Sequence, residues 1–398
     1  MRALLEKGSA IRNIWLEGLR LRQLHGEQAV ADMTLGNPTT PPPPALLQAL
    51  EDVVAHPPPD LHRYTPNEGL PAARERIAEQ LERRGLLPGA RREHVLLTCG
   101  ASAAINVALR AVLDPGDEVL LLLPCFPDYP AHVRNHQGVP VPVQTGPDFL
   151  PDLGAVEAAL GPRTRALIVN HPNNPSGRQY AEGLLRELVT LLRERTRRNG
   201  RPVYLLSDEP YREVRYTSEP FVSPVALYEH GLMTYSFSKS HCIPGERIGY
   251  LAVSPEGPGV PELVAAAALA NRILGFTNGP SLWQHVMMRC LDAVTAMEPL
   301  RRSRDRLLAA LTDKGYEVFP PEGTFYLFPR APGDDDEAFV ERARRDLLLF
   351  VPGSGFGRQG YFRITYCVDE HTLELALQRL PPAREAVAAR AHPLRTSR

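Results

Sequence analysis

Lysine is scarce in this chain of 398 residues: only Lys7, Lys239 and Lys314 occur, while nearly every other basic position is arginine. Chemistry that needs a primary amine therefore has three candidates. Lys239 stands in Ser236-Phe237-Ser238-Lys239, in a loop between two apolar runs and eight residues before Arg247. An amine so placed can condense with a carbonyl as a Schiff base, with Ser236 and Arg247 as ligands for an anion. The plain alternative is a solvated surface lysine, and the apolar flanks argue against it.

Other reactive types recur where short apolar runs end. Thr98-Cys99-Gly100-Ala101-Ser102 follows one run and opens a helical pattern, so its backbone N–H groups and a hydroxyl would face an anion at a positive helix end. An ordinary tight turn reads equally well from that segment alone. His171-Pro172-Asn173-Asn174-Pro175-Ser176-Gly177 is rich in turn formers, yet Asn174 could aim its amide into a cleft. Asp208 directly follows Val203-Tyr204-Leu205-Leu206-Ser207, where a carboxylate among apolar neighbours needs a cation or hydrogen-bond donors. A helix N-cap is the competing role for Asp208.

These residues need a frame. Val95 to Thr98, Val119 to Leu123, Ala166 to Val169, Val203 to Leu206, Met233 to Ser236 and Ile248 to Val253 alternate with helical periods, the signature of a buried, mostly parallel sheet covered by helices. In open sheets of this kind ligands bind beyond the carboxyl ends of the strands, which is where the candidate residues lie. The reading is α/β, with residues 1–44 an N-terminal arm belonging to a smaller domain, 45–295 a large domain, and 296–398 the α+β remainder of the smaller one. The arm comprises an amphipathic helix from Leu4 to Gly26 and an extended stretch around Leu35-Gly36-Asn37-Pro38.

Lys+Arg 45 against Asp+Glu 46 leaves a net charge of -1, without the basic excess of a nucleic-acid binder. No apolar stretch approaches the roughly 20 residues that span a bilayer, and the charged start lacks a secretory signal's apolar block, so the expected location is cytoplasmic. The five cysteines are scattered with no CxxC pair, and no histidine cluster calls for a metal. Asp334, Asp335 and Asp336 read as a solvated helix start.

Together the motifs resemble the fold-type I pyridoxal-phosphate-dependent aminotransferases of class I/II, specifically the aspartate-aminotransferase-like bacterial branch. The resemblance implies a seven-stranded-type sheet in the large domain and pyridoxal 5'-phosphate as cofactor. It makes Lys239 the Schiff-base lysine and assigns the cofactor phosphate to Gly100, Ala101, Ser102, Ser236, Ser238 and Arg247. Asn174 and Tyr211 would bind the cofactor's phenolic oxygen, Asp208 its pyridine nitrogen, and Phe126 would stack on the ring. Tyr64 would reach the phosphate in a neighbouring subunit, which implies a homodimer with shared sites. Arg363, with Gly36 and Asn174 beside it, would grip the substrate's α-carboxylate. Lys239, Asp208 and Tyr211 are the catalytic group. The family's usual Gly-Trp before the arginine is replaced by Gly245-Glu246, which affects local packing only.

The implied activity is transfer of an amino group between an L-α-amino acid and a 2-oxo acid by a ping-pong mechanism. A β- or γ-elimination lyase or an oxidase would use the same cofactor ligands, and a cofactor-sensing regulator is the reading from outside enzymology. Arg12 and Arg272 are candidates to meet a second carboxylate, while His171 and His241 read as structural.

Overall fold

The computed structural model describes residues 10–384. Seven strands, β1 (Val95–Thr98), β2 (Glu118–Leu123), β3 (Val139–Gln144), β4 (Thr164–Asn170), β5 (Tyr204–Asp208), β6 (Gly231–Ser236) and β7 (Gly249–Val253), form one sheet. Their order is β1-β7-β6-β5-β4-β2-β3. Strand β7 runs antiparallel to both neighbours, and the other pairs are parallel. The mostly parallel seven-stranded α/β sheet expected from the sequence is present.

Side-chain alternation explains why both faces are covered. Leu97, Leu120, Leu122, Leu167, Val169 and Leu205 point into one core, packed by helices Pro44–Ala55, Pro71–Arg83, Glu182–Asn199 and Ser281–Cys290. Their neighbours Leu96, Val119, Leu121, Ala166, Ile168 and Leu206 point the opposite way, against Ala101–Val112 and Val260–Ile273. A run such as Val119-Leu120-Leu121-Leu122 is apolar throughout because both of its faces are inside.

Strand β3 went unrecognised in the sequence because it reads Val-Pro-Val-Pro-Val-Gln. It pairs only with β2, and an edge strand can spare the N–H groups that Pro140 and Pro142 lack.

A second core gathers Phe325, Tyr326, Phe350, Phe362, Ile364 and Tyr366 under helices Glu298–Asp313, Asp336–Arg345 and Glu370–Arg379. Ala31 and Met33, from the segment after helix Ala10–His25, belong to the same core. Ala31–Asp32 pairs in parallel with Leu348–Leu349, and the Thr365 N–H donates to the Met33 carbonyl at 3.0 Å. The stretch around Gly36, expected to be extended, forms no strand.

The aspartate run differs from expectation. Asp335 caps its helix by accepting from the Ala338 N–H at 3.0 Å. Asp336, however, is buried and accepts from the N–H groups of Ser354 at 2.7 Å and Gly360 at 3.0 Å, so it fastens a loop instead of meeting water.

Candidate active site

Thr98, Leu123, Asn170, Asp208 and Ser236 end their strands on one edge of the sheet, and a cleft of about 270 Å³ opens beyond them. Its lining includes Ala101, Ser102, Phe126, Asn174, Asp208, Tyr211, Ser236, Ser238, Lys239 and Arg247 from the large sheet's loops. Gly36, Tyr326 and Arg363 close it from the other side.

One end is built for an anion. Gly100 has φ +83, a backbone conformation that favours glycine, and it opens the helix Ala101–Val112 beside the Arg247 guanidinium, whose Nη2 would lie 2.9 Å from a Cβ at that position. Ser236 and Ser238 place their hydroxyls 2.7 Å apart beside it. Arg247 itself is left-handed (φ 53, ψ 50) and is steadied by donating to the Pro244 carbonyl at 2.9 Å. Glu246 ends the short Pro244–Glu246 turn without displacing the arginine.

The centre holds a carboxylate with no cation beside it among the described residues. Asp208 Oδ2 accepts from the Tyr129 hydroxyl at 2.6 Å and Oδ1 from Thr234 at 2.9 Å. Burial pushes its pKa up to about 6, with the two hydroxyl bonds pulling back. It caps no helix. A protonated ring nitrogen facing Asp208 would supply the missing positive charge. Asn170 ties this strand end to the next loop: its Nδ2 donates to the Asp208 carbonyl at 2.9 Å and its Oδ1 accepts from the Asn174 N–H at 2.7 Å. Tyr129, Thr234 and Asn170 were missed in the sequence; Asn170 and Thr234 flank Asp208 in register on β4 and β6.

Lys239 sits in a single helical turn, Phe237–Ser240, and its Nζ donates to the Gly36 carbonyl at 2.6 Å. Burial lowers its pKa to about 8, assisted by Arg363 and Arg247. Roughly a tenth of such an amine is neutral at pH 7, hundreds of times more than for an exposed lysine. Lys314, by contrast, donates to the Leu380 carbonyl at 2.6 Å in the second core's periphery, and Lys7 lies outside the described residues.

Arg363 is buried between two rings, its Cζ 4.3 Å from the Tyr326 centroid and 4.8 Å from that of Phe356. Nη1 donates to Asn174 Oδ1 at 3.0 Å and Nη2 to the Thr34 carbonyl, which leaves the buried Nε–H without an acceptor among the described residues. The orphan donor gives a carboxylate something to bind.

The structure does not bring every candidate into the cleft. Tyr64 is 92% exposed, in the loop near Asn278 and Pro280. Arg272 is exposed on helix Val260–Ile273, and the side chain of Arg12 lies outside the described residues. His171 accepts from the Tyr180 N–H and contacts the Val222 carbonyl, and His241 contacts Ser240 and the Cys290 carbonyl, so both are used in packing. Among the described residues no group of three or more His, Cys, Asp or Glu is placed to hold a metal, and no helix is long and apolar enough to cross a membrane.

Residues 29–380 match the family model for aminotransferase class I and II. The chain belongs to that family. This aminotransferase is 34% identical over 390 residues to the aspartate/prephenate aminotransferase of Thermus thermophilus, covering 94% of this chain and 95% of that one. An aminotransferase crystal structure from Eubacterium rectale superimposes with a TM-score of 0.91 at 34% identity, covering 98% of each chain. The Thermus thermophilus aspartate aminotransferase with maleate gives 0.84 at 31% identity, over 94% of this chain and 97% of that one. The protein is a transaminase, and pyridoxal phosphate is its cofactor. The elimination and oxidase readings are not favoured by these relatives.

Proposed function

We propose that this transaminase works at the cleft described above by a ping-pong cycle between an L-α-amino acid and a 2-oxo acid. The observation that carries the reading is the convergence in one cleft of a half-buried amine, a carboxylate without a cationic partner among the described residues, an anion cradle and a buried guanidinium. Gly100, Ala101, Ser102, Ser236, Ser238 and Arg247 hold the cofactor's phosphate; Asp208 pairs with its ring nitrogen. Asn174 and Tyr211 hold its phenolic oxygen, and Phe126 covers the ring. When bound, the cofactor supplies a sink for the electron pair left at Cα after deprotonation.

The chain's own residues orient the substrate and move the proton. Arg363, held in plane by Asn174 and Thr34, takes the α-carboxylate, with Gly36 giving it room. That fixes Cα near Lys239, whose neutral amine accepts the proton and returns it. Burial keeps this amine neutral often enough to act as a base near neutral pH. We divide the chain at residues 44 and 295 into arm, large domain and remainder of the small domain, and place the enzyme in the cytoplasm.

The test is a half-reaction. Adding amino acid alone should bleach the holoenzyme's visible absorbance stoichiometrically, and a 2-oxo acid should restore it. Continuous ammonia release without a 2-oxo acid would instead indicate elimination.

The exposed ring of Tyr64 supports a homodimer in which each site borrows this residue from the other subunit. A purified heterodimer of a Lys239→Ala subunit with a Tyr64→Phe subunit should then carry one doubly damaged site and one intact site. It should recover about half the wild-type rate, one site in two. A heterodimer no more active than its parents would defeat the shared-site arrangement.

A further inference from the structure

Tyr326 has no part in the assignments above, yet it touches three of the groups they use. Its hydroxyl is 3.1 Å from the Tyr211 hydroxyl. Its ring centroid lies 4.3 Å from the Arg363 Cζ. It packs so closely on Gly36 that a Cβ at that position would come 1.8 Å from the Tyr326 hydroxyl oxygen. The Gly36 carbonyl is in turn the acceptor for Lys239 at 2.6 Å. Tyr326 is buried, and its ring is also set edge-on against Tyr211 and Phe325.

The hydroxyl pair has a directional consequence. Two phenols 3.1 Å apart share one hydrogen bond, and whichever donates leaves the other oxygen's proton free to point elsewhere. The Tyr211 hydroxyl has no other protein partner among the described hydrogen bonds and lines the cleft. If Tyr326 donates, the Tyr211 proton is turned into the cleft and its donation is strengthened by the bond behind it. The reverse direction would leave the cleft with only a lone pair from Tyr211, a poor match for a phenolic oxygen that carries negative charge.

We propose that Tyr326 is a positioning residue that donates its hydroxyl proton to Tyr211, so that Tyr211 presents its own proton to the cofactor's phenolic oxygen. The same ring lies on the Arg363 guanidinium, so one rigid side chain sets the spacing between the cofactor end and the carboxylate end of the cleft. This rests on the cofactor placement given under Proposed function.

The experiment compares holoenzymes carrying Tyr326→Phe, Tyr211→Phe and both changes, by pH titration of the visible absorbance. Weaker donation from Tyr211 leaves more negative charge on the cofactor oxygen, and the chromophore's proton is then held more tightly. Tyr326→Phe should therefore move the titration midpoint up by about half a unit to one unit, the size of one net hydrogen bond. In the Tyr211→Phe background the same change should move nothing. Because phenylalanine keeps the ring, KM for the amino acid should change by less than about threefold, against a larger fall in kcat. A midpoint unmoved by Tyr326→Phe, or moved equally in both backgrounds, overturns the proposal, as does a KM effect that outweighs the kcat effect. Wild-type holoenzyme whose visible band does not depend on Lys239 would instead defeat the underlying placement of the cofactor.

Discussion

Lys239→Ala is expected to slow the amino-acid half-reaction by roughly 10⁴-fold or more, because the proposed tether and the proposed base are one amine. The fold should survive, since the ammonium's one hydrogen bond among the described residues goes to the Gly36 carbonyl in the cleft lining. Borohydride reduction of the wild-type holoenzyme followed by peptide mapping should find the pyridoxyl group on Lys239. Label on Lys314 would sink the assignment.

Asp208→Asn should have opposite effects on the two forms of the enzyme. In the cofactor-free protein the carboxyl's pKa is raised by burial from 3.8 to about 6. A group raised in the folded state contributes stability below its unfolded pKa and loses it as pH rises through the folded value. The wild-type apoenzyme therefore loses on the order of 3 kcal/mol from this group between about pH 4 and 6. An asparagine does not titrate, so the melting-temperature difference, variant minus wild type, should grow over that window and level off near neutrality. With cofactor bound as proposed the sign reverses, because the ring nitrogen would lose its counter-charge. Breaking one buried charge pair costs about 3–5 kcal/mol, which should appear as weaker cofactor retention and a half-reaction slowed roughly 10²- to 10³-fold. Apoenzyme melting that is identical for the two proteins from pH 4.5 to 7.5 would show that Asp208 is not desolvated as described.

What the sequence disclosed was local chemistry. Lys239 with its serines, Gly100 at a helix start and Asp208 after an apolar run are each legible from near neighbours, because a turn, a cap or a buried strand end constrains residue type within a few positions. Partners supplied from across the sheet were not. Asn170, Asp208 and Thr234 stand side by side on three strands, and that register exists only once the sheet has formed. Tyr129 reaches Asp208 from 79 positions away, and Thr34 reaches Arg363 from 329. The proline-broken strand β3 and the buried Asp336 were misread for the same reason, since edge position and burial are tertiary facts.

The pairing of Ala31–Asp32 with Leu348–Leu349 also orders events during synthesis. Every strand of the large sheet lies between residues 95 and 253, so that sheet can close while the chain is still being made. The smaller core cannot, because its N-terminal strand waits for a partner more than 300 residues downstream. At elongation speeds of about 5–20 residues per second, that wait is roughly 15–60 s. Through it Thr34 and Gly36 are already translated, yet Thr34 cannot meet Arg363, nor Gly36 pack on Tyr326. A ribosome-bound chain released after β7 would hold the residues proposed for cofactor contact and lack the guanidinium proposed to grip the substrate's carboxylate.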